Sequence, residues 1–219
     1  MLNVVPAGKN GSPLQILCLG SHSDDIEIGC GGTLLKLLES DRDVHVHWVV
    51  FSAVEERRRE ATASAMRFLE GAAGTEVEVQ GFRDGFFPYL GYDIKQFFEG
   101  LKQRCAPDLI FTHGRDDRHQ DHRLISDLTW NTYRHHLILE YEIPKYDGDL
   151  GSPNLFVHLD DATCRRKVRS IVEVFQTQHN HHWFTEDTFL AMLRLRGIES
   201  AAPGGYAEAF VCRKAVFAL

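Results

Sequence analysis

The sequence predicts an α/β fold: a Rossmann-like, mostly parallel sheet with helices on both faces and the functional site at the carboxyl ends of the strands. Three observations lead there. Short apolar runs alternate with segments of helical period along most of the chain. The first apolar run ends in a polar cluster and a group of glycines, "LGSHSDDIEIGCGG" (19–32). The fourth ends in a second polar cluster, "THGRDDRHQDHR" (112–123). A chain of 219 residues, 43% of them hydrophobic, is long enough for one sizeable core. The expected organisation is a loose leader over 1–13, rich in Gly, Pro and Asn, then a single domain over 14–219.

The elements follow in order. "LQILCLGS" (14–21) is a buried strand. "GGTLLKLLES" spaces Leu34, Leu35, Leu37 and Leu38 as a helix that the glycines open. "DVHVHWVVFS" (43–52) is a second strand, and "EERRREATASAMRFLEG" a helix that stops at Gly71. "TEVEVQGF" is a third strand, "IKQFFEGLKQRC" a helix, "DLIFTH" a fourth strand and "HRLISDLTWNTYRHH" a helix. The C-terminal third carries "LILEYEIP", "NLFVHL" and "TCRRKVRSIVEVFQTQ", then the glycine hinge "APGG" before a strand at "YAEAF". "HNHHW" (179–183) reads as a surface loop.

Composition removes several function classes. The formal charge is −7 and basic residues gather only in short runs such as "RRR" at 57–59, which argues against a nucleic-acid partner. Five cysteines without a C-x-x-C pair fit a reduced, cytoplasmic protein. The N-terminus lacks a basic start followed by a long apolar core, so no signal peptide is expected. No apolar run approaches bilayer length, so no membrane partner is expected either. A homo-oligomer stays open.

The two polar clusters carry the chemistry. Asp24 and Asp25 are adjacent carboxylates, which repel unless a cation lies nearby. Both clusters follow parallel strands, so both lie on one edge of the sheet and together offer His22, Asp24, Asp25, His119, Asp121 and His122. Two histidines and a carboxylate form a common catalytic zinc set. A dinucleotide site is the rival reading, but G-x-G-x-x-G fits Gly29 and Gly31 and then meets Leu34. Plainer roles stand beside the chemical ones. Asp24 suits an N-cap. Arg57 lies in a charge run, with Arg58 as its alternative if the register shifts. Asp84 precedes Gly85, a common turn pair.

"HSDDIEIGCGGTL" resembles the "HPDD" signature of the PIG-L/LmbE family of zinc-dependent N-acetylglucosaminyl deacetylases, and "DRHQDHR" resembles its histidine–any–aspartate–histidine motif. Between them, "RRREA" resembles the family's arginine–any–any–glutamate helix and "GFRDGFF" its arginine–aspartate loop. The resemblance implies zinc (Zn2+) as cofactor, with His22, Asp25 and His122 as its ligands. It implies Asp24 as general base for the attacking water. His119 would stabilise the oxyanion or protonate the departing amine, with Asp121 orienting its ring. Arg57 and Asp84 would hold sugar hydroxyls. The implied substrate is a small-molecule N-acetylated amino sugar. Ser23 stands where the family usually has proline, and a looser turn is expected there. A non-catalytic sugar-binding module and a metal-free nucleotide-binding domain are the alternatives. Asp24 argues against the first, since binding alone has no use for a base. The aromatics of "FFPYLGYD" suit either sugar stacking or core packing. Tyr206 and Glu208 are expected to approach the site without a catalytic role.

Overall fold

The computed structural model describes residue 8, residues 11–40 and residues 42–216. Most of the predicted leader over 1–13 lies outside the described residues. The elements, in order, are β1 (Leu14–His22), α1 (Asp25–Leu38), β2 (Val44–Ser52), α2 (Glu55–Phe68), β3 (Gly74–Val79), α3 (Gly91–Arg104), β4 (Leu109–His113), α4 (Gln120–Thr132), β5 (Leu137–Tyr141), β6 (Leu155–Leu159), α5 (Asp161–Val174), α6 (Glu186–Glu199) and β7 (Tyr206–Cys212). Seven strands form one sheet in the order β3-β2-β1-β4-β5-β7-β6. The pairs from β3 across to β5 are parallel, while β7 joins β5 and β6 antiparallel. The predicted α/β class and mostly parallel sheet are therefore what the chain adopts.

Period-two alternation sends side chains of the central strands to opposite faces. Ile16, Cys18, Val46, Trp48 and Val50 face one core, which α1, α2, α5 and α6 cover. Leu17, Leu19, Val49 and Phe51 face a second core, with Ile94 and Phe98 of α3 and Ile125 of α4. From β1 the chain steps outward through β2 and β3, then returns to the other side of β1 as β4. This reversal opens a crevice beyond the carboxyl ends of β1 and β4, where ligands bind in open α/β sheets.

Two expectations change. Helix α1 begins at Asp25, ahead of the glycines rather than at them. The glycines lie inside the helix because it presses against other elements. A Cβ on Gly29 would sit 2.3 Å from the Tyr141 ring, and one on Gly32 would sit 2.5 Å from Leu159. The second change is α6, for which the sequence shows no clear pattern. Its inward positions include Phe189, Leu193, Arg196 and Gly197. The last two break the apolar stripe: Arg196 is buried against Glu142, and Gly197 meets the Gly205 backbone.

A buried ion pair lies beneath α1. Lys167 Nζ donates to Glu208 Oε1 at 2.6 Å and to the Ile28 carbonyl at 2.7 Å. The Glu208 carboxylate also accepts from the Gly32 and Thr33 N–H groups, at 2.7 and 2.6 Å. Glu208 thus braces the helix that carries Asp25. All five cysteines are free, and no helix among the described residues is long and apolar enough to cross a membrane.

Candidate active site

β1 ends at His22, and the chain passes through Ser23 and Asp24 directly into α1. Asp24 takes the N-cap position but makes no side-chain capping hydrogen bond, so its carboxylate is not spent on the helix. Asp25 Oδ2 instead accepts the His22 backbone N–H at 2.7 Å, which ties the turn. On the other side of the crevice, His119 is the N-cap of α4, its Nδ1 accepting from the Asp121 N–H at 3.3 Å. One turn of α4 then brings His122 inward.

Three donor groups converge, Asp25 through both of its oxygens. His22 Nδ1 lies 3.2 Å from His122 Nε2 and 3.3 Å from Asp25 Oδ2. His122 Nε2 lies 3.5 Å from Asp25 Oδ1. Bonds of about 2.0–2.1 Å to a tetrahedral zinc put neighbouring ligand atoms about 3.3–3.4 Å apart. The spacing of this set therefore matches a metal site, and the donor types suit one.

The far sides of both imidazoles are held by carboxylates. His22 Nε2 faces Asp84 Oδ1 at 3.1 Å and Asp121 Oδ2 at 3.3 Å. His122 Nδ1 faces Asp117 Oδ2 at 2.8 Å. Such outer partners fix the tautomer that turns a lone pair toward a metal. Against the cost of burial, the carboxylates around His22 raise its pKa well above the usual imidazole value. Burial would raise Asp25, but His122 and His113 hold it well below the usual carboxylate range. The His22 shift expresses the negative charge gathered around that ring, which would favour a cation, and the Asp25 shift keeps that carboxylate ionised, as a metal ligand must be.

Asp24 is buried beside this set. Burial, then the Asp25 carboxylate, pushes its carboxyl up to about 6, against the pull of Arg57 and His22. Arg57 Nη2 lies 3.4 Å from Asp24 Oδ1, and Arg57 Nη1 lies 3.8 Å from Asp84 Oδ2. His119 is half-buried, and burial together with the nearby His22 lowers its pKa. A cavity of about 170 Å³ joins His22, Asp24, Asp25, Arg57, Asp84, His119 and His122.

Seven of the eight sequence-predicted positions thus line one cavity. Asp121 does not line it, and its expected role changes. Its carboxylate accepts from Gly85 N at 2.7 Å and Phe87 N at 3.1 Å, and it faces His22. Only its backbone N–H reaches the His119 ring. Asp121 therefore orients His22 and the loop carrying Asp84.

Other residues become visible only in three dimensions. His113, at the end of β4, puts Nε2 3.3 Å from Asp25 Oδ2 and accepts the Ser21 N–H at 3.0 Å. Lys145 meets Asp117 at 3.0 Å. His181 and Trp183 of the "HNHHW" loop form part of the cavity wall, as does Gln178. The motif spacing of "DDRHQDH" carries a hint of Asp117. Nothing local in sequence points to Lys145 or Trp183.

Residues 17–133 match the family described as GlcNAc-PI de-N-acetylase, PIG-L. The chain belongs to the PIG-L family. Three solved structures show how far the fold of this PIG-L chain is shared. A conserved protein from Thermus thermophilus is 21% identical with a TM-score of 0.71, over 94% of this chain and 97% of that one. The N,N'-diacetylchitobiose deacetylase from Pyrococcus horikoshii is 21% identical with a TM-score of 0.62, over 90% and 82%. The 4-carboxy-2-hydroxymuconate hydratase of Pseudomonas putida is 16% identical with a TM-score of 0.71, over 94% and 98%. Proteins named for different reactions share the fold, so the chemistry of this PIG-L chain must be argued from its site.

Proposed function

We propose that this chain is a zinc-dependent N-deacetylase that hydrolyses the acetamide of an N-acetylated amino sugar in the cytoplasm. The observation that carries the proposal is the convergence of His22 Nδ1, Asp25 and His122 Nε2 at 3.2 to 3.5 Å, with Asp24 buried alongside. PIG-L membership and the Pyrococcus deacetylase support the substrate class.

His22, Asp25 and His122 would hold the ion. Zinc, when bound, supplies Lewis acidity that polarises the acetyl carbonyl and lowers the pKa of a water toward about 7. Asp24 takes the proton from the attacking water. Its freedom from capping and its raised pKa suit a group that must accept a proton and later release it. His119 has its Nδ1 occupied as an acceptor, so its neutral form carries the proton on Nε2. That N–H donates to the developing oxyanion, and the proton that Asp24 took from the water serves the departing amine, which leaves only when protonated. Arg57 and Asp84 reach the cavity from α2 and from the loop after β3, placed to bind sugar hydroxyls. Water addition to a carbon–carbon double bond, the activity in the hydratase's name, is the second outcome to examine.

The test is a screen of N-acetylated amino sugars and their glycosides for released acetate, run beside elemental analysis of the purified protein. Expected are close to one zinc per chain and turnover that chelation abolishes. Purified protein that neither carries nor takes up zinc would overturn the proposal.

A further inference from the structure

We infer that Ser23 is a positioning residue for Arg57: its buried hydroxyl fixes the guanidinium so that one terminal nitrogen faces Asp24 and the other faces Asp84. The inference rests on the deacetylase reading for its kinetic consequence, though not for the contact itself.

Ser23 is fully buried in the turn between β1 and α1. Its Oγ accepts from Arg57 Nε at 3.0 Å. The three nitrogens of one planar group therefore address three residues: Nε meets Ser23, Nη2 meets Asp24 and Nη1 faces Asp84. A guanidinium is rigid, so fixing Nε and one terminal nitrogen fixes the direction of the third. The two remaining contacts are long, at 3.4 and 3.8 Å, and Asp84 lies on an exposed loop. The short bond to Ser23 is the one that sets the plane. Arg57 comes from α2 and Ser23 from the turn after β1, so the bond also joins the helix and the turn that frame this wall of the cavity. The looser turn expected from serine is replaced by a cross-tie, which proline, lacking a hydroxyl, has no means to make.

The consequence is specific. Removing the hydroxyl leaves the charge of Arg57 in place but frees its orientation. Ser23→Ala should lower kcat/KM about tenfold, at the lower end of what a hydrogen bond to a charged group is worth. Ser23→Thr keeps the hydroxyl and should recover most of that loss. Adding Ser23→Ala to Arg57→Ala should cost nothing further, because the two residues act as a unit. Losses that multiply, or a Ser23→Ala enzyme with wild-type kinetics, would overturn the inference.

A second measurement needs no turnover. The Arg57 Nε–H resonance, assigned in 15N-labelled protein by its absence from Arg57→Lys, should exchange slowly with solvent. It should exchange fast in Ser23→Ala and slowly again in Ser23→Thr. Fast exchange in the wild type overturns the inference even if Ser23→Ala does not fold. If no N-acetyl sugar releases acetate but the resonance is protected in this pattern, the deacetylase reading fails and the Ser23 assignment stands.

Discussion

Two buried charged clusters lie against helix α1, and they differ in one respect that separates scaffold from site. Beneath its middle, Lys167 and Glu208 close on themselves. The Lys167 ammonium has a carboxylate and a carbonyl, and each Glu208 oxygen has a backbone N–H. At its N-terminus, His22, Asp25 and His122 turn ring nitrogens and carboxylate oxygens toward one another, beside a cavity of about 170 Å³. Burial of charge is common to both. What marks the second as a site is that its ring nitrogens and carboxylate oxygens crowd together as metal-ligand atoms do, whereas the first pairs opposite charges and gives each carboxylate oxygen its own donor.

The sharpest way to break this comparison is at Asp24. Asp24→Asn keeps shape and removes the base, so kcat should fall by roughly 10²–10⁴ with zinc content retained. The thermal midpoint of the zinc-free protein should not drop, because a carboxylate buried beside Asp25 is gone. A midpoint several degrees lower would mean that Asp24 is scaffold.

Glu208→Leu should do the reverse. It strands the Lys167 ammonium and should cost about 3–5 kcal/mol of folding stability in urea unfolding. Its zinc content while folded should match the wild type. Loss of the metal at a temperature where the variant is still folded would join the two clusters into one functional unit.

Asp25→Asn should weaken zinc binding, since it removes a ligand charge, and should also lower the stability of the zinc-free protein, because His122 and His113 favour the ionised carboxylate. The check is metal content beside the unfolding midpoint. Asp25→Asn that keeps zinc while Asp24→Asn loses it would exchange the roles of the two aspartates.

The smallest effect is expected one shell out. Asp117→Asn leaves the donor set whole but weakens the 2.8 Å contact that orients His122. Zinc affinity, read by competition with a chromophoric chelator, should fall about 10–100-fold. An unchanged affinity would make Asp117 a partner of Lys145 alone.

The sequence by itself determined the strand and helix alternation, the sheet edge on which the clusters lie, and a pool of possible donors, His22, Asp24, Asp25, His119, Asp121 and His122, which only the family resemblance narrowed to His22, Asp25 and His122. These are legible because period-two and helical patterns are local, and because each cluster follows its strand within a few residues. Tertiary structure decided what local pattern does not encode. It put the glycines inside α1, where the rings and side chains of distant elements press on the backbone. It formed α6 around a buried Arg196 that Glu142, 54 residues away, makes tolerable. It turned the Asp121 carboxylate from His119 to His22, and it tied Ser23 to an arginine on another helix. In each case the deciding partner lies far along the chain, so composition and spacing hold no trace of it, and only the folded arrangement supplies the contact.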